Sequence, residues 1–250
     1  AVLYQESKST KKELFNRMTR LSDNPLIQPL QKSPEDPVLA DIRGIPYVCK
    51  IIQDDWQSRR AYSSLNRLTA FNLSRCLRKR LEQHVNGTHP NMSVDIILTG
   101  CEVSLYLAEQ FASDLKKAFP KLSIEAVSSN KLLGLYGQEI AVPSVGFQYA
   151  PQTRNIHDSI VIIVSHSGGT FGPLACSNLL QSATQNIFVV TSEWDTQIGK
   201  QLRMIDEING HEGSMVHQRI FSTGVGIRPA EPCSVSVAAT HQLLANLFQY

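Results

Sequence analysis

The chain has 250 residues, of which 42% are apolar and 18% are charged, and its formal net charge is +2. This composition is typical of a globular protein and excludes a largely disordered chain. The near balance of charge gives no reason to expect a nucleic-acid partner, which would need a clustered basic face. The longest apolar run, at 160–164, is far too short to cross a bilayer, so no membrane partner is expected.

The N-terminal segment contains Lys8, Lys11 and Glu13 but no apolar signal-peptide core, so the sequence predicts a cytoplasmic protein. Five cysteines are dispersed without a Cys-x-x-Cys pair, which favours reduced thiols over a disulfide framework or a zinc site. We therefore expect no cofactor and no metal. The chain stops at Tyr250 inside an apolar helical pattern, which leaves open that it is a piece of a longer protein.

Residues 1–53 are predicted to be a leader or linker, because prolines recur through them at positions 25, 29, 34, 37 and 46 and break helices and central strands. Residues 54–90 are predicted to form an N-terminal helix that packs on the rest of the chain. Their apolar side chains between positions 56 and 81 fall near helical spacing. The arginines and lysines between positions 59 and 80 would occupy the other face, which we interpret as a solvated surface rather than a polyanion site.

Residues 91–250 alternate between short apolar runs and helical patterns. Runs rich in β-branched residues predict strands near 94–98, 123–127, 160–164, 187–190 and 219–222. Helical spacing follows each of them, near 105–119, 131–139, 171–182, 198–205 and 236–248. Strands that alternate with helices predict an open α/β domain, in which a five-stranded parallel sheet lies between two layers of helices, as in a flavodoxin-like sandwich.

The loop after the third predicted strand reads Ser165-His166-Ser167-Gly168-Gly169-Thr170. In such a sheet, ligands bind outside the carboxyl ends of the strands. The glycines let the backbone approach a ligand closely, and the helix that follows offers unpaired N–H groups and its positive dipole end to an anion. The loop therefore predicts a phosphate site, although an ordinary turn with Thr170 as N-cap would show the same pattern.

Similar turns follow the other predicted strands. Hydroxyl groups occur after the first, second and fourth strands, at Thr99, Ser104, Ser128, Ser129, Thr191, Ser192 and Thr196. Because the carboxyl ends of parallel strands lie at one edge of a sheet, these turns would form a polar crevice suited to a sugar and its phosphate.

These turns resemble those of the sugar isomerase (SIS) domain, as in the isomerase half of glucosamine-6-phosphate synthase (glutamine–fructose-6-phosphate aminotransferase). The family's first turn typically reads Cys-Gly-Thr-Ser and its phosphate loop Ser-Gln-Ser-Gly-Glu-Thr. Here the two segments are Cys101-Glu102-Val103-Ser104 and Ser165-His166-Ser167-Gly168-Gly169-Thr170. The resemblance covers about residues 94–250 and implies a phosphosugar ligand, such as fructose 6-phosphate or glucosamine 6-phosphate.

The resemblance also implies which residues contact this ligand. They are Ser104, Ser165, Ser167, Thr170 and the backbone near His166. The family's Gly-Thr-Glu segment, with its later serine, resembles residues 230–236 and adds Glu231 and Ser236 to the implied site.

The sequence departs from the family pattern at three positions. Glu102 stands in place of glycine, His166 in place of glutamine, and Ala238 in place of a lysine. The synthase also draws on a second SIS copy and a C-terminal lysine, neither of which this sequence shows. We therefore expect one SIS module, which pairs as a homodimer or with a second SIS module.

Isomerisation of an aldose to a ketose needs a base for a carbon-bound proton and an acid for the oxygen. Glu231 is the candidate base, because the resemblance places it beside the ligand. His166 is a candidate proton shuttle, because an imidazole titrates near neutral pH. Each has a plainer alternative: Glu231 as a surface carboxylate, and His166 as a hydrogen-bonding replacement for glutamine.

Two functions stay open at this point. One is a module of a sugar-phosphate isomerase or aminotransferase related to hexosamine synthesis, and the other is a non-catalytic phosphosugar sensor that regulates a partner protein. A dinucleotide-binding domain, indicated by Gly224-Val225-Gly226, is disfavoured because the segment comes late in the chain and lacks the third glycine before a helix.

Overall fold

The structure, a computed structural model, describes residues 37–57, 64–90, 93–136, 156–208, 210, 218–226 and 234–250. Its helices are α1 (Pro37–Gln57), α2 (Leu65–Val85), α3 (Val103–Ala118), α4 (Ser129–Tyr136), α5 (Phe171–Leu179), α6 (Gln197–Ile208) and α7 (Ser234–Gln249), with a 3-10 turn at Leu180–Ser182. Its strands are β1 (Ile96–Gly100), β2 (Ile124–Ser128), β3 (Ile160–Val164), β4 (Ile187–Thr191) and β5 (Ile220–Ser222).

Within the described residues, five parallel strands form one sheet in the order β2-β1-β3-β4-β5. Ile96 of β1 lies opposite Ile124 of β2 on one side and Ile160 of β3 on the other. Every residue of β1, β3 and β4 is buried, as continuous apolar runs require when helices cover both faces of a sheet. The predicted open α/β fold with a five-stranded parallel sheet is confirmed.

Internal contacts divide the chain into two compact units. The first unit comprises Ala1–Asn72, Ser165–Gly169 and Val189–Tyr250, and the second comprises Leu73–Val164 and Thr170–Phe188.

Part of the predicted leader is helical. The helix α1 begins at Pro37 and contains Pro46, where the sequence predicted a linker interrupted by prolines. A proline at the first helical position lacks only an N–H that has no helical partner in any case. Pro46 removes one intrahelical hydrogen bond, but α1 packs on α7 and buries Val48 and Ile52. Burial of this apolar face stabilises the helix despite the internal proline.

The helical pattern predicted over 54–90 is divided between two helices. The helix α1 continues to Gln57 and α2 begins at Leu65, and residues 58–63 lie outside the described part of the chain. No helix in that described part combines the length and the apolar character needed to cross a membrane.

In the first unit, α2 covers the edge strand β5. An edge strand presents backbone N–H and C=O groups that lack a strand partner. Asn66 bonds both groups of Ser222, since its Nδ2 donates to the carbonyl at 2.9 Å and its Oδ1 accepts the N–H at 2.9 Å. One turn along the helix, Thr69 Oγ1 donates to the Ile220 carbonyl at 2.8 Å. The polar face of α2 thus satisfies the backbone of β5.

Candidate functional site

The loop after β3 contains three predicted site residues, Ser165, His166 and Ser167, all in the first unit. The Ser165 N–H donates to the Val190 carbonyl at 2.9 Å. The Ser165 side chain is buried, and its Oγ has no hydrogen-bond partner among the described residues. Ser167 is half-buried, and its Oγ accepts the Gly169 N–H at 3.4 Å. Of the two predicted serines, Ser167 is therefore the more accessible.

Gly168 determines the shape of this loop. Its φ of 63° lies in the left-handed region that favours glycine. A β-carbon at this position would lie 2.4 Å from Thr196 Cβ and 2.9 Å from Thr191 Oγ1. The Gly168 N–H donates to the Ser165 carbonyl at 3.1 Å, and the Gly168 carbonyl accepts the Ile198 N–H at 2.9 Å. The loop therefore packs directly on the first turn of α6.

His166 is held by both its backbone and its ring. Its carbonyl accepts the Ser192 N–H at 2.9 Å and lies 3.2 Å from Thr191 Oγ1. Its Nε2 lies 3.1 Å from the Gly226 carbonyl oxygen. Because a carbonyl can only accept, this contact requires a hydrogen on Nε2. The contact favours a hydrogen-bonding role for His166 over proton transfer through that nitrogen.

The segment after β4, residues 192–196, contains an ionisable group that the sequence did not reveal. Glu193 is fully buried, and neither carboxyl oxygen has a partner among the described residues. Burial raises the pKa of Glu193 to about 8, and the neighbouring Asp195 contributes to the rise. Asp195 itself pairs with Lys200 at 3.3 Å and Arg203 at 2.9 Å. From the sequence, a single glutamate in a turn would be interpreted as a surface residue. Only the burial seen in the structure distinguishes Glu193 from an ordinary exposed carboxylate.

The remaining predicted residues of the first unit are further along the chain. Ser236 lies in the first turn of α7 and is buried. Glu231, the candidate base, lies outside the described residues. Its catalytic role stays a prediction, as does the contact of Ser236 with a ligand.

In the second unit, Ser104 lies in the first turn of α3, and its N–H donates to the Cys101 carbonyl at 3.0 Å. Gly100 permits a close approach here, since a β-carbon on it would lie 2.9 Å from the Leu105 nitrogen. Glu102 has φ 48° and ψ −122°, a conformation that residues other than glycine rarely adopt. The backbone at this position thus has a conformation suited to glycine although the residue is glutamate.

The predicted site residue Thr170 also belongs to the second unit, where it is the N-cap of α5. It is exposed, and its side chain makes no capping hydrogen bond. The hydroxyl of Thr170 therefore does not cap the helix. Two residues later, a β-carbon on Gly172 would lie 2.6 Å from Ser129 Oγ. Ser129 Oγ in turn lies 2.7 Å from Cys101 Sγ. Close packing of small side chains therefore surrounds the beginning of α5.

A cluster of ionisable side chains lies at the opposite end of β1, also in the second unit. Asp95 is buried, and its two carboxylate oxygens lie 2.9 Å from His84 Nε2 and 2.8 Å from His89 Nε2. The Ser123 N–H donates to Asp95 at 2.8 Å, and Arg80 Nε lies 3.4 Å away. Burial by itself raises the pKa of Asp95, but the hydrogen bonds from His84, the Ser123 N–H and His89 outweigh it and hold the pKa below its usual value.

The same cluster offers three possible metal ligands, because one atom from each of His84, His89 and Asp95 lies within 4.8 Å of the others. The two imidazole rings, however, are stacked with centroids 3.7 Å apart and planes 22° apart. A carboxylate oxygen can only accept, so each Nε2 carries the hydrogen that it donates to Asp95 and offers no lone pair to a metal. The Arg80 guanidinium already balances the carboxylate charge. We interpret the group as a hydrogen-bonded cluster that joins the end of α2 to the beginning of β1.

No model of a known protein family matches the sequence, and no curated protein matches it. Several solved structures are similar. A proposed phosphosugar isomerase from Silicibacter pomeroyi matches with a TM-score of 0.52 at 10% identity, over 86% of this chain and 51% of its own. Tagatose-6-phosphate ketose/aldose isomerase from Escherichia coli has a TM-score of 0.45 at 16% identity, over 84% of this chain and 47% of its own.

A phosphoheptose isomerase from Francisella tularensis has a TM-score of 0.44 at 13% identity, over 85% of this chain and 99% of its own. The chain thus spans about half the length of the Silicibacter pomeroyi protein, whose TM-score is 0.52. At this level of identity the likeness is one of fold.

Proposed function

The chain has the fold of the sugar isomerase (SIS) domain, and from this premise we propose that the loop at 165–170 holds the phosphate of a phosphorylated sugar. The observation that carries the proposal is the backbone of Gly168, which turns the loop onto α6 and leaves Ser167 accessible. At a turn before a helix, a phosphate accepts hydrogen bonds from backbone N–H groups and from a serine hydroxyl. No cation is needed for such a site.

Other side chains are proposed to complete it. Ser165 Oγ is a buried hydroxyl that has no partner among the described residues, so a ligand oxygen that reached it would satisfy it. Ser104 and Thr170 are proposed as ligand contacts on the strength of the family resemblance alone. Ser236, at the beginning of α7, is proposed as a further contact on the strength of the family resemblance.

As the wider role, we propose a module of a sugar-phosphate isomerase or a glutamine–fructose-6-phosphate aminotransferase. The proposed activity of the Silicibacter pomeroyi protein, which has the same fold, supports the isomerase type. Glu231 would then remove the carbon-bound proton, and the chain would pair with a second copy or a second SIS module.

The second candidate, a phosphosugar sensor without catalysis, is favoured by one contact. His166 Nε2 donates a hydrogen bond to the Gly226 carbonyl, so in this state that nitrogen is not available to transfer a proton to or from a sugar. Departure of the ring from Gly226 on ligand binding would restore the catalytic option, so the two candidates predict different states of this hydrogen bond.

Thermal denaturation in the presence of fructose 6-phosphate, glucosamine 6-phosphate and inorganic phosphate tests the binding proposal. A ligand that binds the folded chain raises the unfolding free energy by about 2.7 kcal/mol at 100 times its Kd. We expect both sugar phosphates to raise the Tm, and Ser167→Ala to weaken binding by about tenfold, as for a lost hydrogen bond to a charged group. Ser182→Ala is the matched control, because this serine is exposed and its hydroxyl donates to the Leu179 carbonyl at the end of α5.

Two results would count against the proposal: no Tm shift with any of the three compounds, or equal shifts for Ser167→Ala and the unmodified chain. Incubation with fructose 6-phosphate, followed by separation of aldose and ketose phosphates, decides between the two candidates. Turnover that is lost in Glu231→Gln supports the isomerase, and binding without turnover supports the sensor.

A further inference from the structure

Glu193 lies on the segment that packs against the phosphate loop. The residue before it, Ser192, donates its N–H to the His166 carbonyl at 2.9 Å. The Glu193 carbonyl lies 3.4 Å from Thr196 Oγ1, and Thr196 is the residue that Gly168 touches. Ser192 and Thr196, which precede and follow Glu193 in this segment, therefore both lie against the loop, so a charge on Glu193 would lie close to it.

The environment of Glu193 does not support a charge. Its side chain is 0% exposed, and both carboxyl oxygens lack a partner among the described residues. A buried carboxylate without hydrogen bonds or a cation is strongly destabilised relative to the neutral acid. The adjacent charge, on Asp195, has the same sign, and its cations Lys200 and Arg203 are directed to Asp195. The carboxyl of Glu193 is therefore neutral at pH 7, in line with its raised pKa of about 8.

We propose that Glu193 is a positioning residue of the phosphate loop: its neutral carboxyl allows a phosphate dianion to bind in the loop, and its ionisation expels that dianion. This inference rests on the proposed function, since it needs a phosphosugar in the loop. The side chain acts through the loop and not by contact with the ligand, because it is completely buried.

The ionisation of Glu193 and the binding of a phosphosugar should oppose each other. A carboxylate close to the loop repels the phosphate, so bound ligand and ionised Glu193 disfavour each other. Affinity for a phosphosugar should fall as the pH rises through the titration of Glu193. The other ionisable groups on the segments in contact with this one are His166, Asp195, Lys200, Arg203, Asp206 and Arg219. The variant Glu193→Gln separates the contribution of Glu193 from any contribution of these groups, since it changes none of them.

Isothermal titration with fructose 6-phosphate at pH 7 and pH 9 tests the proposal. For the unmodified chain we expect the Kd to rise by about tenfold over this interval, as for two charges roughly 10 Å apart near a protein surface. Glu193→Gln keeps the shape and the neutral state at every pH, so its Kd should change by less than about twofold. Glu109→Gln, at an exposed position of α3, is the control and should retain the tenfold change.

A second measurement on the unmodified chain avoids any effect of the substitution on folding. At pH 8, titration in buffers of different ionisation enthalpy should reveal proton uptake on binding, because the ligand favours the neutral form of Glu193. Absence of proton uptake, or an equal pH dependence in Glu193→Gln and the unmodified chain, overturns the proposal for Glu193 while binding itself stands. Absence of binding to fructose 6-phosphate, glucosamine 6-phosphate and inorganic phosphate at pH 7 overturns the proposed function and this inference together.

Discussion

Gly168 packs against Thr196 so closely that a β-carbon on the glycine would lie 2.4 Å from the threonine Cβ. The threonine Cβ is attached to the backbone and cannot rotate away, so any side chain at position 168 must displace the loop or the first turn of α6. The shape of the proposed phosphate site thus depends on a contact between two residues 28 positions apart in the chain.

Gly168→Ala should therefore destabilise the fold and abolish ligand binding. The methyl group meets both the positive φ of 63° and the Thr196 contact, and we expect a loss of about 2–4 kcal/mol in unfolding free energy. Urea denaturation measures this loss. Gly134→Ala is the matched control, because Gly134 lies in α4 and a β-carbon there meets no atom within 4 Å. It should be neutral or stabilising by about 0.5–1 kcal/mol.

Glu102→Gly should stabilise the protein. Glu102 is held at φ 48° and ψ −122°, a conformation that costs about 1–3 kcal/mol for a residue with a side chain and little for glycine. The midpoint of urea unfolding should rise accordingly. Glu109→Gly, in the interior of α3, should instead lower stability by about 1 kcal/mol. A loss of stability in Glu102→Gly would show that the glutamate side chain makes a contribution larger than the backbone strain.

Asp95→Asn should remove about 3–5 kcal/mol, because it leaves the buried guanidinium of Arg80 without its counter-charge. The pKa of Asp95 is held below its usual value in the folded chain. Its contribution to stability is therefore present above the unfolded-state pKa and is lost as the pH falls through the folded-state pKa. Acid unfolding followed by circular dichroism should be less steep in Asp95→Asn.

Asp114→Asn is the comparison for that variant, since Asp114 forms an exposed pair with Lys117 at 3.6 Å. A pair of this kind contributes at most about 1 kcal/mol. Equal effects of the two substitutions would contradict a structural role for the Asp95 cluster.

In the ligand-free protein, Glu193 should make stability depend on pH in the direction opposite to that expected for Asp95. Its folded-state pKa, about 8, is raised above the ordinary value of 4.5. The unfolded chain ionises first, so the folded state loses stability as the pH rises from the unfolded-state pKa through the folded-state pKa. Glu193→Gln should remove this decline, which chemical denaturation at pH 5, 7 and 9 would measure. A decline of the same size in the variant would mean that Glu193 is ionised or hydrated in solution.

The strands and the glycine-containing turn after β3 could be predicted because their signals are local. A run such as Ile160–Val164 is buried on both faces and therefore carries β-branched residues throughout. Gly168 was recognisable as part of a tight turn from its neighbours in the sequence alone. The helix α1 was not predicted, because its two prolines argue against a helix and the apolar surface of α7 that stabilises it lies nearly 200 residues away.

The burial of individual polar groups was equally hidden. Ser165 and Ser167 are two residues apart and look alike in the sequence, yet one is buried and the other half-buried. The difference arises because the Ser165 N–H donates to the Val190 carbonyl and so continues the pairing of β3 with β4. The sequence of the loop alone does not show that this pairing extends into it.

Hydrophobic periodicity and the spacing of glycines and hydroxyls determined that this chain is a parallel α/β protein with a candidate anion loop after its third strand, because those features act between residues close in the sequence. The tertiary structure decided which carboxyl groups have shifted pKa values. Asp95 is surrounded by an arginine and two histidines, whereas Glu193 is buried beside another carboxylate. The pKa of a carboxyl group depends on solvent and on charges brought near it by folding, and neither is present in the order of the amino acids.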